Sequence, residues 1–224
     1  MILLQGISKL YQTPEGNTLA LKKIDLTINA SEFLAITGPS GSGKSTLLAI
    51  LGCLDKPSAG QYFFNNKLVD MSDDVRLAKL RNRHIGFVFQ QFNLISRFSA
   101  LANVELPMIY AEQNKEIRTR KARIALQAVG LGDRMTHKPS ELSGGQQQRV
   151  AIARALVNNP DIIFADEPTG ALDEATAHEV MTLFRQLHEA GKTIVFITHD
   201  KKLLPYASRV IRLENGQITG ELQR

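Results

Sequence analysis

The chain has 224 residues, of which 43% are hydrophobic and 22% charged, the balance of an ordinary globular domain. At this size burial of roughly 70% of the unfolded surface makes disulfide or metal staples unnecessary. The lone cysteine, Cys53, excludes an internal disulfide, the start Met1-Ile-Leu-Leu-Gln5 lacks the pattern of a secretory signal, and no apolar stretch approaches the ~18 residues of a membrane span, so a reducing, cytosolic setting is expected. Lys+Arg exceed Asp+Glu by 27 − 22 = 5, which permits a polyanionic partner such as nucleic acid, lipid headgroups or nucleotide phosphates without choosing among them.

No internal repeat or low-complexity tract interrupts the chain. Leu19, Leu21, Ile24, Leu26 and Ile28 step by two on either side of Lys22-Lys23, predicting a half-buried strand with a local irregularity and then a turn at Asn29-Ala30-Ser31. Phe33–Thr37 reads as a buried strand and Lys44–Leu54 as a helix with apolar residues at 47, 48, 50, 51 and 54. A turn over Asp55–Gly60, a strand over Gln61–Val69, a polar helix over Asp73–Asn82 and a strand over Ile85–Phe89 follow. From Gln91 to about Asn159 strand signals vanish. Helical periodicity, broken near Pro107, Gly130–Gly132 and Pro139, predicts an inserted helical subdomain. Its basic stretch Lys115–Arg123 has no interleaved aromatics for base stacking and reads as a solvated helix face, so no nucleic-acid partner is expected. Asp161–Ala165 and Thr193–Thr198 are buried strands flanking a helix over Glu174–Glu189, and Arg209–Leu213 with Gln217–Leu222 close the chain as a hairpin around Asn215-Gly216. Apolar runs separated by helices predict a parallel central sheet.

Between the strand at 33–37 and the helix from Lys44 lies Gly38-Pro39-Ser40-Gly41-Ser42-Gly43-Lys44-Ser45, followed by Thr46. This is G-x-x-x-x-G-K-[ST] in the strand–loop–helix setting that gives it meaning. Glycines at 38, 41 and 43 open backbone torsions closed to other residues, so that N–H groups crowd around phosphate oxygens while the helix start presents its positive end. Lys44 adds a point charge for the β- and γ-phosphates, and the Ser45 hydroxyl is a hard oxygen donor suited to Mg²⁺. Hydrolysis also needs a metal-positioning carboxylate and a group that orients water. Ile162-Ile-Phe-Ala-Asp166-Glu167-Pro168 places two acids at the end of an apolar strand, where α/β sheets bind ligands. Asp166 is assigned to Mg²⁺, and Glu167, pointing the other way in an extended chain, to polarising the water as general base or by orientation alone. A second glycine-fronted helix start, Ser143-Gly144-Gly145-Gln146, precedes Val150, Ala153, Leu156 and Val157 on one face. Ser143 is placed as its N-cap, and exposed backbone N–H groups make it another phosphate site.

Residues 38–45, 142–146 and 162–167, in this order, resemble the nucleotide-binding subunit of ATP-binding cassette (ABC) transporters, and the Leu142-Ser-Gly-Gly-Gln146 signature is specific to that superfamily. The resemblance spans essentially the whole chain. It implies an α/β fold: a P-loop NTPase core over 1–90 and 160–224 with a parallel central sheet, an N-terminal antiparallel β subdomain, and a helical signature subdomain over 91–159. It also implies ATP and Mg²⁺ as ligands, Gln90 as the Q-loop glutamine touching the metal site, Asp173 of Ala171-Leu172-Asp173 as the D-loop aspartate and His199 as the switch histidine at the γ-phosphate. Tyr11 is similar in position to the aromatic that stacks on adenine, with Gln12–Asn17 as an insertion beside it. Two copies are expected to pack head to tail, the signature of one capping the nucleotide held by the other. Closure would then drive a permease docked around Gln90–Ser99, with the subunit peripheral on the inner face of the membrane. Gly52–Pro57, Phe87–Leu94 and Ala165–Asp173 look most like the macrolide-exporter and lipoprotein-release ATPases, whose permeases carry large extracytoplasmic domains. Gly170 stands where many members have serine, and no C-terminal regulatory domain is expected after the hairpin. A signalling ATPase of similar sequence, which moves no solute, is the competing reading, and a DNA-repair or ribosome-associated relative the third.

Overall fold

A computed structural model describes residues 1–14 and 16–223; Glu15, within the expected insertion Gln12–Asn17, and Arg224 lie outside the described residues. The chain opens with two long antiparallel strands, β1 (Ile2–Thr13) and β2 (Gly16–Ile28). The sequence pattern marks the second but places no strand over the first. The reason is local: Leu4 and Ile7 are both fully buried yet stand three residues apart, because Gly6 at φ +58° interrupts the pairing register between them. The irregularity expected at Lys22-Lys23 is present, with Lys23 at φ +48°. β4 (Ala59–Phe64) and β5 (Lys67–Leu68) extend this sheet in the order β2-β1-β4-β5. The single strand expected over Gln61–Val69 is therefore two, because Asn65 and Asn66 both take positive φ and fold the chain back so that Phe64 pairs with Lys67.

The larger sheet has six strands in the order β10-β9-β3-β8-β7-β6, built from β3 (Phe33–Thr37), β6 (Ile85–Phe89), β7 (Ile162–Asp166), β8 (Thr193–Ile197), β9 (Arg209–Glu214) and β10 (Gln217–Gln223). The neighbours from β9 to β6 are parallel, but β10 is antiparallel to β9, so the sheet is mixed rather than parallel throughout. Asn215 and Gly216, both at positive φ, make the two-residue turn that forces this reversal. The strands read as apolar runs because both faces are covered. Leu34, Ile36, Phe164, Val195 and Ile197 face the antiparallel sheet and helix α1 (Lys44–Leu51). Phe33, Ala35, Ile163, Ala165 and Phe196 face the other way, toward α3 (Ala100–Tyr110), α5 (Gly144–Leu156) and α6 (Glu174–Glu189). Each fully buried Phe among them contributes roughly 1.5–3 kcal/mol of burial.

α1 ends at Leu51 rather than Leu54: Gly52 caps it under the Phe87 ring, where a Cβ would come within 2.3 Å, and Cys53 turns away at φ +55°. α2 (Asp74–His84) is capped by the Asp73 side chain, which accepts the Arg76 N–H at 3.0 Å. Pro107 lies inside α3 rather than between helices; its carbonyl accepts from the Asn82 and Asn158 amides at 2.8 and 3.3 Å, which anchor that last turn. Helices α3, α4 (Lys115–Ala128) and α5 pack on one another, and α5 also packs on β6 and α6. A short 3-10 turn over Lys201–Tyr206, unmarked in the sequence pattern, joins β8 to β9. Among the described residues no helix is long and apolar enough to cross a membrane.

Candidate nucleotide site

The strand registers assemble the site. Ile36 pairs with Ile197, Ile197 with Asp166, and Asp166 with Phe89. The C-terminal ends of β3, β8, β7 and β6 are therefore level, and the chain leaves them as Gly38, His199, Glu167 and Gln90. Four segments far apart in sequence meet along one sheet edge because parallel pairing in register leaves no alternative.

Above that edge lies a cleft of about 630 Å³, lined by Gly38, Ser40, Gly41, Gly43, Lys44, Ser45, Thr46, Glu167 and His199, with Thr18, Leu19, Ala20 and Lys22 of β2 and the Asn215-Gly216 turn. The loop wraps α1's first turn with Gly43 as N-cap at φ +100° and no capping side chain, so its helix-start N–H groups have no internal acceptor. Gly38 and Gly43 are required by space as well as torsion: a Cβ would lie 2.0 Å from the Leu213 carbonyl oxygen at the first and 2.6 Å from the Ala20 carbonyl oxygen at the second. Lys44 Nζ donates to the Gly38 and Pro39 carbonyls at 2.9 and 2.8 Å, holding its charge across the loop. Ser42 is buried; its carbonyl accepts from Gly216 N–H at 3.0 Å, while its hydroxyl has no hydrogen-bond partner. The residues on β2 and in the last hairpin carry no motif. Their signal is the loop's close approach to Ala20 and Leu213, which no local pattern reveals.

Asp166 is half-buried, and burial, then the neighbouring Glu167 charge, pushes its carboxyl above the usual range against a hydrogen bond with Ser45 and the charge of Lys44. A half-buried carboxylate beside a hydroxyl, crowded by a second acid, is a hard oxygen set that a divalent cation would relieve, so these residues fit Mg²⁺. Gln90, one residue past the partner of Asp166, packs its amide against Gly170, where a Cβ would come within 2.7 Å of Nε2. Glu167 Oε1 lies 3.0 Å from His199 Nδ1, an ion pair when the histidine is protonated.

The remaining expected residues stand elsewhere. Tyr11 does not line the cleft; its hydroxyl donates to Asp55 at 2.8 Å. Ser143 to Gln146 and Asp173 do not line it either. Ser143 caps α5 in a capping box: its Oγ accepts the Gln146 N–H at 3.3 Å, and Gln146 Oε1 accepts the Ser143 N–H at 3.0 Å. Asp173 caps α6, accepting from the Thr176 N–H at 3.0 Å and the Thr176 hydroxyl at 2.7 Å, which hold its carboxyl below the usual range. Thr176 in turn packs on Gly145, so the two helix N-termini sit side by side, with Ser143 and Asp173 both exposed.

The family model for ABC transporters matches residues 21–170. The ABC transporter ATP-binding protein YvrO of Bacillus subtilis is 52% identical over 97% of this chain and 95% of its own length, and an ABC transporter ATP-binding protein of Thermotoga maritima is 51% identical over 97% and 93%. The macrolide export ATP-binding/permease protein MacB of a Shewanella species is 48% identical over 99% of this chain, which spans only 34% of that longer protein. Among solved structures, a dimeric post-hydrolysis state of the ATP-binding cassette MJ0796 bound to ADP and Pi superposes with a TM-score of 0.91 at 47% identity, covering 100% of this chain and 98% of that one. On its cleft, its loop and these likenesses, the chain belongs to the ABC transporter family as one of its ATP-binding cassettes.

Proposed function

We propose that this cassette is an Mg²⁺-dependent ATPase that works as a head-to-tail pair on the inner face of the membrane and drives a separate permease with a large extracytoplasmic domain. The observation that carries it is the Glu167–His199 pair at 3.0 Å, facing the phosphate loop across one cleft. The loop from Gly38 to Thr46 binds the phosphates with backbone N–H groups and the Lys44 charge. Ser45, Asp166 and Gln90 would hold Mg²⁺, which supplies charge neutralisation at the β- and γ-phosphate oxygens. Glu167 accepts or orients the proton of the attacking water, and His199 holds the carboxylate in place while offering its other ring nitrogen to the γ-phosphate.

Ser143 and Asp173 stand exposed, and neither they nor Gly144 to Gln146 line the cleft, so they serve a nucleotide only on a second copy. The dimeric MJ0796 cassettes support that reading. The macrolide export ATP-binding/permease names of the MacB relatives, two-thirds of whose length lies beyond the match, support a membrane partner and an export role. Glu167→Gln tests the chemistry: ATP binding should persist while turnover falls by a factor on the order of 10² or more. Turnover at the unmodified level would remove Glu167 from the reaction.

A further inference from the structure

Gln148 lies on α5, four residues after Gly144, and is fully buried at 0% exposure. Its Nε2 donates to the Pro168 carbonyl, while its Oε1 is buried without a hydrogen-bond partner. A methionine would fill a similar volume and leave nothing unpaired, so the amide bears a desolvation cost for one hydrogen bond. The acceptor gives that bond its meaning. Pro168 is itself buried and has no N–H, so its carbonyl is the residue's one polar backbone group.

The residue before it is Glu167, whose φ of +45° lies in the left-handed region that non-glycine residues avoid. Such a conformation persists where its surroundings over-determine it. Here the Glu167 N–H donates to the Ile197 carbonyl of β8 at 3.1 Å, the Glu167 carbonyl accepts the Gly170 N–H at 3.0 Å, and Gln148 holds the next carbonyl along. The first two bonds belong to the sheet and to the turn itself. The third alone comes from the signature helix.

We infer that Gln148 is a positioning residue for hydrolysis: by holding the Pro168 carbonyl it fixes the strained backbone of Glu167 and so aims the carboxylate at the cleft, tying that aim to the seating of α5 in the same subunit. This role rests on the reading of Glu167 given above and is separate from that of Ser143 to Gln146, which do not line their own cleft.

The test is a double-mutant cycle on the full chain with Gln148→Met and Glu167→Gln, reading ATP affinity and steady-state turnover. Gln148→Met should keep ATP affinity within about twofold and lower kcat about tenfold, because misaiming a reacting group by a fraction of an ångström costs rate rather than binding. In the Glu167→Gln background it should lower turnover no further, since the group it aims is already gone. Unchanged kcat in Gln148→Met, or the same fold loss in both backgrounds, overturns the inference. If Gln148→Met does not fold, Gln148→Asn, which withdraws the amide by one methylene, carries the same cycle, and failure of both to fold assigns Gln148 to the core alone and overturns it too. Full turnover in Glu167→Gln by itself overturns the underlying reading, whereas full turnover in Gln148→Met beside an impaired Glu167→Gln overturns only this one.

Discussion

Two glycines of the same loop permit a matched comparison. An ideal Cβ on Gly38 would lie 2.0 Å from the Leu213 carbonyl oxygen and 3.0 Å from Ser42 Oγ, whereas one on Gly41 would meet nothing within 4 Å. Both residues have positive φ, +150° and +73°. Ordinary C···O contacts begin near 3.3 Å, so Gly38→Ala must open a gap of about 1.3 Å against a carbonyl fixed in β9. Strain of about 1–3 kcal/mol for the torsion and about 1–3 kcal/mol for the displaced packing put its cost near 4 kcal/mol. Gly41→Ala should cost only the left-handed torsion, about 1–2 kcal/mol. Urea unfolding of both variants without nucleotide measures the difference; with an m-value near 2–3 kcal/mol/M, the midpoints should separate by about 1 M at equal slope. Coincident midpoints would show that the loop is not wedged against β9, and the account of the site's rigidity would fail.

Arg209 should be a second point of fragility, because its guanidinium bonds Glu32 at 2.9 Å, Glu221 at 2.9 Å and the Thr27 carbonyl at 2.8 Å, and Glu32 is only 9% exposed. Arg209→Met should cost about 3 kcal/mol in denaturant unfolding by leaving a buried carboxylate uncompensated, and adding Glu32→Gln should recover part of it. Asp55 is raised by burial, but hydrogen bonds from Lys9, Tyr11 and the Lys56 amide outweigh this and hold its carboxyl below the usual range. Its contribution to stability is thus complete above the unfolded value of about 4 and is lost as pH falls through the lower folded value, so the midpoint gap between the unmodified protein and Lys9→Met should be open at pH 7 and narrow in acid. Ser143→Arg should spare ATP binding by the isolated subunit, since the residue is exposed and its cap is worth about 1 kcal/mol, and should abolish hydrolysis; normal turnover would refute the shared site.

The elements most legible in the sequence are those whose information is local. The loop from Gly38 to Ser45 announces itself because strand, glycines and helix follow without interruption, and the acids at 166 and 167 because an apolar strand delivers them. Legibility ends where a feature depends on distant partners. β1 is hidden by the Gly6 irregularity, which breaks its alternation, and the Asn65-Asn66 reversal by the lack of a glycine at the turn. Ala20, Lys22 and Gly216 reach the cleft only through tertiary contacts, such as the Lys22 N–H to the Gly216 carbonyl at 2.8 Å. Gln148 lies two residues past the Leu142–Gln146 motif, and its value comes from a carbonyl twenty residues on, which no local pattern reveals.

The separation of the two glycine-fronted helix starts bears on how such a cassette is controlled. α1 points its N-terminus into a cleft with Lys22 and Lys44 on its walls, while α5 and α6 expose theirs together, with the Ser143 hydroxyl and the Asp173 carboxylate already engaged in capping. Under the proposed pairing a phosphate held at α1 would be met from its own subunit by Lys44, by the Mg²⁺ at Ser45, Asp166 and Gln90 and by His199, and from the other side by the exposed helix start of a second copy. Under the proposed pairing, turnover at low concentration should rise with the square of the cassette concentration and become linear once pairs predominate. A permease that holds two cassettes at a fixed separation would replace that dependence with its own geometry, so chemistry would proceed only when the membrane subunits let the two faces close.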